Sequence, residues 1–173
     1  MKYEITNVID DLSINLLRSI KRTKPLNIYV EEVGELALQL IIESPDKKLC
    51  VKNTPVMASD GDDYPKLTIE QAPIAPDDEM KRLYSCIILD EIVIYRVEAS
   101  WKRNGSIWNV KSDIGLKLVL QQEELLIIAQ DSLAGLLRVI KLSNEQSINR
   151  ILEDYWIMKT DYVDSLIRSE LKV

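Results

Sequence analysis

Between residues 59 and 79 the sequence sets seven carboxylates, Asp60, Asp62, Asp63, Glu70, Asp77, Asp78 and Glu79, against a single lysine, Lys66. Clustered carboxylates can hold a hard cation, divide acid and base roles around a glycosidic bond, or present negative charge to a cationic surface. Cation binding needs ligands at set spacing, and Asp60-Gly61-Asp62-Asp63 does not match D-x-[DN]-x-[DN]-G with its distal Glu. Glycoside chemistry needs a sugar-binding cleft, of which so short a chain gives no sign. Docking needs only exposure and something to anchor. Tyr64 and Ile74 flank the charges as apolar anchors, and Pro65, Pro73 and Pro76 lower the entropy lost when a loop is immobilised. The plain alternative is a solvated loop whose charge serves solubility.

Other reactive arrangements are missing from the sequence. It contains no histidine, which removes Ser-His-Asp and Cys-His nucleophiles, HExxH zinc sites and the commonest general base at neutral pH. The five glycines are scattered, so neither G-x-x-x-x-G-K-[ST] nor G-x-G-x-x-G occurs to cradle phosphates. Asp131-Ser-Leu-Ala-Gly135 lacks the G-x-S-x-G pattern and reads as a connection between strands. Cys50 and Cys86 have no metal-type spacing and are expected to be reduced, buried small hydrophobes. The chain is therefore read as non-enzymatic, with no cofactor and no metal.

The formal charge of −6 is concentrated in the acidic stretch: removing its seven acids and Lys66 from the 28 acidic and 22 basic residues leaves 21 of each. Phosphate contacts require clustered Lys and Arg, so nucleic acid and anionic membrane are excluded as direct partners and a basic protein partner is favoured. The N-terminus has no uninterrupted apolar run of the signal-peptide kind, and runs such as Leu125-Leu-Ile-Ile128 are too short to span a bilayer, which points to the cytoplasm. A chain of 173 residues buries roughly two-thirds of its unfolded surface in one domain, here residues 1–173.

The charges must be carried by a scaffold. Ile5, Val8, Ile9, Leu12, Leu16 and Ile20 recur at three- and four-residue spacing and predict a helix over about 7–21, capped by Asn7 and stopped by Pro25. Leu36, Leu38, Leu40 and Ile42 alternate as a strand, followed by a turn at Ser44-Pro45-Asp46 and a short strand at 49–52. Residues 54–79, with four prolines, read as a long loop in which only Leu67 and Ile69 hint at extension. Val93, Tyr95, Val97, Ala99 and Trp101 alternate up to Asn104-Gly105, a type I′ pair whose two-residue loop places Trp101 opposite Trp108 and Ala99 opposite Val110. The two tryptophans read as a packed cross-strand pair. After an interruption at Asp113-Ile-Gly115, a turn at Gln122-Glu123 sets Leu120 opposite Leu125 and Leu118 opposite Ile127, and a further strand runs from 136 to 142. Ser143 and Gln146 form a capping box before the stripe Ile148, Ile151, Leu152 and Tyr155, and Val163, Leu166, Ile167 and Leu171 suggest renewed helix. The expected fold is α+β, an antiparallel meander packed with N-terminal and C-terminal helices.

The segment SDIGLKLVLQQEELLIIAQDSLAG with the helix expected after it resembles, over about residues 92–155, bacterial immunity proteins against polymorphic toxins, including those of contact-dependent growth inhibition. That resemblance implies a tight complex with a toxin domain, often a nuclease with a basic cleft. Asp60, Asp62, Asp63, Asp77, Asp78 and Glu79 would then imitate phosphates, with Tyr64 and Glu70 inside the same surface. The alternative is a structural or assembly protein that self-associates through its sheet or an edge strand.

Overall fold

The computed structural model describes residues 1–21, 25–72, 79–121, 123–143 and 147–173. Strand β1 spans Lys2–Asn7, helix α1 Asp11–Ile20, β2 Leu26–Val33, β3 Leu36–Glu43 and β4 Lys48–Asn53. Residues 54–72, expected as part of a long loop, instead hold β5 at Val56–Met57, β6 at Asp63–Tyr64 and β7 at Leu67–Gln71. Strands β8 (Lys81–Ile87), β9 (Leu89–Arg103), β10 (Ser106–Leu120), β11 (Glu124–Ala129) and β12 (Leu137–Leu142) follow, then helix α2 (Ile148–Ile151) and β13 (Ser165–Lys172).

Among the described residues eleven strands make one mostly antiparallel sheet in the order β13-β9-β10-β11-β12-β3-β2-β8, with β1 beside β10, β4 beside β3 and β7 beside β4; β5 and β6 pair separately. Among the described residues only the β1–β10 pairing is parallel. Strand β8 is separated from β9 by Ile88 alone. The sheet therefore curls back toward its own start. Its concave side encloses the larger core, including Ile28, Leu40, Ile42, Ile92, Ile94, Leu116, Leu118, Leu125 and Ile127, into which α1 inserts Leu17 and Ile20. The alternate residues Val93, Tyr95, Val97, Ala99, Trp101, Val110, Leu126 and Ile128 form a second core on the outer side with Tyr64, Leu152 and Trp156. Strand β9 buries both faces over residues 92–95, where its sequence is continuously apolar.

The Asn104-Gly105 hairpin forms as expected. Both residues adopt positive φ, at 49° and 76°. Trp101 pairs with Trp108 and Ala99 with Val110, and the two indoles stack at 6.1 Å with 6° between their planes. The next turn differs by one residue: Leu120 N–H donates to Glu123 O, so Leu118 opposes Leu125 and Leu116 opposes Ile127. Moving the turn's centre by one residue slips the pairing by two, and an even slip keeps the same side chains on the same face. Asp113-Ile-Gly115 does not end the strand but forms an irregularity within β10.

The helices are fewer than the apolar spacing suggests. The N-terminal helix expected over about 7–21 forms as α1 but starts later, at Asp11: Asn7 ends strand β1, which is paired residue for residue with 107–112, and α1 is capped by Asp10, whose Oδ1 accepts Ser13 N–H at 2.7 Å, rather than by Asn7. Asn7 is instead buried and donates toward the carbonyls of Tyr64 and Pro65. Helix α2 has four residues and begins after Ser147, without a side-chain cap; Gln146 of the expected capping box lies outside the described residues. The renewed C-terminal helix is β13, a strand on β9. Leu166, Ile167 and Leu171 are exposed, so no core rewards a helical stripe there and the backbone ladder decides. Cys50 is buried and Cys86 exposed, at a positive φ of 53°.

A buried polar tie locks β1 to the sheet. Asp113, fully buried, accepts Arg96 Nε at 2.7 Å and Nη2 at 3.0 Å, and Ile9 N–H at 2.7 Å, so all its partners come from outside β10. No helix among the described residues is long and apolar enough to cross a membrane.

Candidate protein-binding site

Over its described residues 59–72 the acidic stretch is not a free loop. Strands β5 and β6 form a short hairpin, with Met57 opposite Asp63 and Val56 opposite Tyr64, and lay Tyr64 on the outer core. Strand β7 joins the main sheet through β4, Leu67 opposite Asn53 and Ile69 opposite Val51, so the two apolar residues that hinted at extension are core residues.

Asp60 is the pivot of the hairpin. Its Oδ2 accepts the Tyr64 hydroxyl and the Trp108 indole N–H, each at 2.7 Å, and its Oδ1 accepts Asp62 N–H at 3.2 Å. Burial raises the Asp60 pKa, but the hydrogen bonds from Tyr64 and Trp108 outweigh it and hold the carboxyl below its ordinary value. Burial and the adjacent Asp60 push the Tyr64 phenol far upward, so it remains a donor. Tyr64 is 2% exposed, which corrects its expected role as a partner anchor: its ring and hydroxyl are used inside the fold.

Lys159, from the turns after α2, fastens the other side. Its ammonium lies 3.1 Å from Asp62 Oδ2 and 3.3 Å from Asp131 Oδ1, donates to the Asp63 carbonyl, and sits 4.7 Å from the centre of the Tyr64 ring. Its side chain is 7% exposed. Burial raises the Asp131 pKa against the opposing pull of Lys159. Two carboxylates, Asp62 and Asp131, thus share one ammonium, and with Asp60 and Asp63 on the same hairpin the site keeps a negative surplus.

The expected surface divides. Asp60, Asp62, Asp63 and Tyr64 share the hairpin; of these, Asp62 is exposed, Asp60 and Asp63 half-buried. Glu70 stands apart on β7, paired with Lys52 of β4 at 2.9 Å. Glu79 is exposed just before β8. Ile74, Asp77 and Asp78 lie outside the described residues. Lys159, Asp131 and Trp108 are the members that sequence reasoning missed. Lys159 lies 96 residues from Asp63 and has no local pattern. Trp108 did carry a signal, because an indole N–H packed in a core needs an acceptor.

Beside Asp131 a cleft of about 620 Å3 is also lined by Arg138, Ser147, Arg150, Asp154 and Tyr155. Tyr155 spends its hydroxyl on the Ala129 carbonyl at 2.5 Å. Among the described residues no group of three or more His, Cys, Asp or Glu is placed to hold a metal ion. Comparison with known protein families, curated proteins and solved structures finds no match to this chain.

Proposed function

We propose that the chain is a non-enzymatic binding protein of the cytoplasm that docks its acidic hairpin on a basic protein, and that this partner is a toxin domain which the chain neutralises by covering a cationic cleft. The observation that supports this is the bracing of the hairpin. Asp60 and Lys159 hold its turn from both sides, and Asp62 is left with 57% of its side chain in solvent beside Asp63. A loop ordered before encounter loses less entropy on binding, and fixed negative charge speeds association with a basic surface. The same surplus of carboxylate repels nucleic acid and anionic membrane. Glu70, balanced by Lys52, adds little, and the reading rests on Asp60, Asp62 and Asp63.

The test begins with capture of a basic protein from the cell of origin and continues with association rates of the purified pair at several ionic strengths. D62K/D63K is expected to slow association by about 10-fold or more at low salt and to flatten the salt dependence, with D62N/D63N between it and wild type. Thermal melting of each variant reports whether the hairpin fold is kept. Equal rates and equal salt slopes for all three folded proteins would overturn the reading.

A further inference from the structure

Strand β13 is the last strand in the sheet order, and every residue of it except Arg168 is exposed. It pairs with β9 without a register shift from Ser165↔Ser100 to Lys172↔Val93, and Val173 N–H continues the ladder to Ile92 O at 3.0 Å. Residues of an antiparallel ladder turn their amide and carbonyl alternately toward the neighbour and away. Val173 faces β9, so Leu171, Ser169, Ile167 and Ser165 do too, whereas Leu166, Arg168, Glu170 and Lys172 direct theirs to the open edge. Edge strands are normally blunted by proline, a bulge, short length or charged side chains, and the charges of β13, Arg168, Glu170 and Lys172, alternate in sign, so that a suitable register can pair them. This one has eight residues and no proline.

Its side chains also choose a partner. In antiparallel pairing of β13 with a second β13 centred on Ser169, outward-facing groups meet outward-facing groups. Arg168 then faces Glu170 twice, Ile167 faces Leu171 twice, and Ser169 meets itself on the two-fold axis. Moving the centre by one residue to Arg168 sets that arginine against itself. Moving it the other way sets Glu170 against itself and Arg168 against Lys172. Like charges directly opposed are unfavourable, so the Ser169-centred register is selected against both neighbours. Arg168 already donates to the carbonyls of Leu152, at 2.9 Å, and Asn149, at 3.4 Å. Its five N–H groups leave capacity for a carboxylate as well.

We propose that the chain forms a two-fold symmetric dimer in which β13 pairs antiparallel with β13 of a second copy about Ser169, joining the two sheets through about eight backbone hydrogen bonds. The surface is distinct from the acidic hairpin, so its failure leaves the docking proposal untouched.

Light scattering after size exclusion, over a range of concentrations, is expected to show a dimer for the wild-type chain. E170R, which opposes arginine to arginine, gives monomer, and R168E/E170R restores the dimer with the charges exchanged. Ser169→Cys in a Cys86→Ser background cross-links two chains under mild oxidation, because directly opposed residues of a non-hydrogen-bonded pair lie within disulfide reach, whereas Ser165→Cys in that background does not. Melting curves report that each variant is folded. A wild-type monomer at every concentration overturns the proposal; so does a dimer that E170R leaves intact or that Ser169→Cys fails to cross-link.

Discussion

Replacing Asp60 by alanine removes the acceptor for two side-chain donors at once, the Tyr64 hydroxyl and the Trp108 indole. A hydrogen bond to a charged group contributes about 1.5–3 kcal/mol. The two donors are not equally placed to recover: Trp108 is only partly buried and can turn to water, whereas Tyr64 is 2% exposed and its hydroxyl is left without a partner. The expected loss is about 2–4 kcal/mol, a large part of the roughly 5–15 kcal/mol that holds a domain together. For a chain of this size that lowers Tm by roughly 4–16 °C. D60N keeps the shape and one acceptor oxygen and should lose about half as much. D62A, which removes the contacts of an exposed carboxylate with Lys159 and with the Asp63 N–H, should lose about 0–1 kcal/mol. The folded Asp60 carboxyl titrates below the ordinary 3.8, so its contribution is present above that pH and disappears as pH falls through the lower folded value; D60N lacks this acid-side loss. Urea unfolding followed by tryptophan fluorescence measures all three variants, and a D60A/Y64F cycle should show coupling of at least about 1 kcal/mol. The reasoning is refuted if D60A unfolds at the wild-type midpoint, if D62A costs as much as D60A, or if the cycle is additive.

R96M leaves the fully buried Asp113 carboxylate without its guanidinium and should cost about 3–5 kcal/mol in urea unfolding, while K111M, which breaks an exposed pair with Glu98, should cost about 0–1 kcal/mol. Gly135 has φ +66° and a Cβ there would stand 2.5 Å from the Asn53 carbonyl oxygen, whereas Gly34, at φ +62°, has open space. G34A should therefore cost only the left-handed penalty of about 1–2 kcal/mol, and G135A more than that, as read from Tm; equal costs would show that the Asn53 contact yields freely.

The acidic hairpin shows where sequence reasoning stopped short. Seven carboxylates and three prolines in residues 59–79 argued correctly against a long helix or central strand but could not say which charges face water. Asp60 is withdrawn by Trp108, 48 residues away, and Asp62 is clasped by Lys159 from the far end of the chain. Nothing in the local pattern encodes either distance. Tyr64 looked like an anchor because aromatic residues beside charge often are; burial reversed its role.

The central meander was legible from the chain alone, because Asn104-Gly105 permits positive φ at both turn positions and a two-residue loop leaves one register for Trp101 and Trp108. Strand β3 and the short strand after Ser44 were legible for the same local reason, an alternation of apolar residues that only an extended backbone places on one face. Tertiary structure alone decided the rest. Residues 165–172 carry helical spacing yet are a strand, and residues 2–7, where no strand was legible, are another, since each lies along a long hairpin whose open backbone groups take up its own, and the energy of a ladder depends on a neighbour distant in sequence. The same non-locality governs charge: the sequence counts the carboxylates, but only the packed sheet determines which are neutralised within the fold and which remain for a partner.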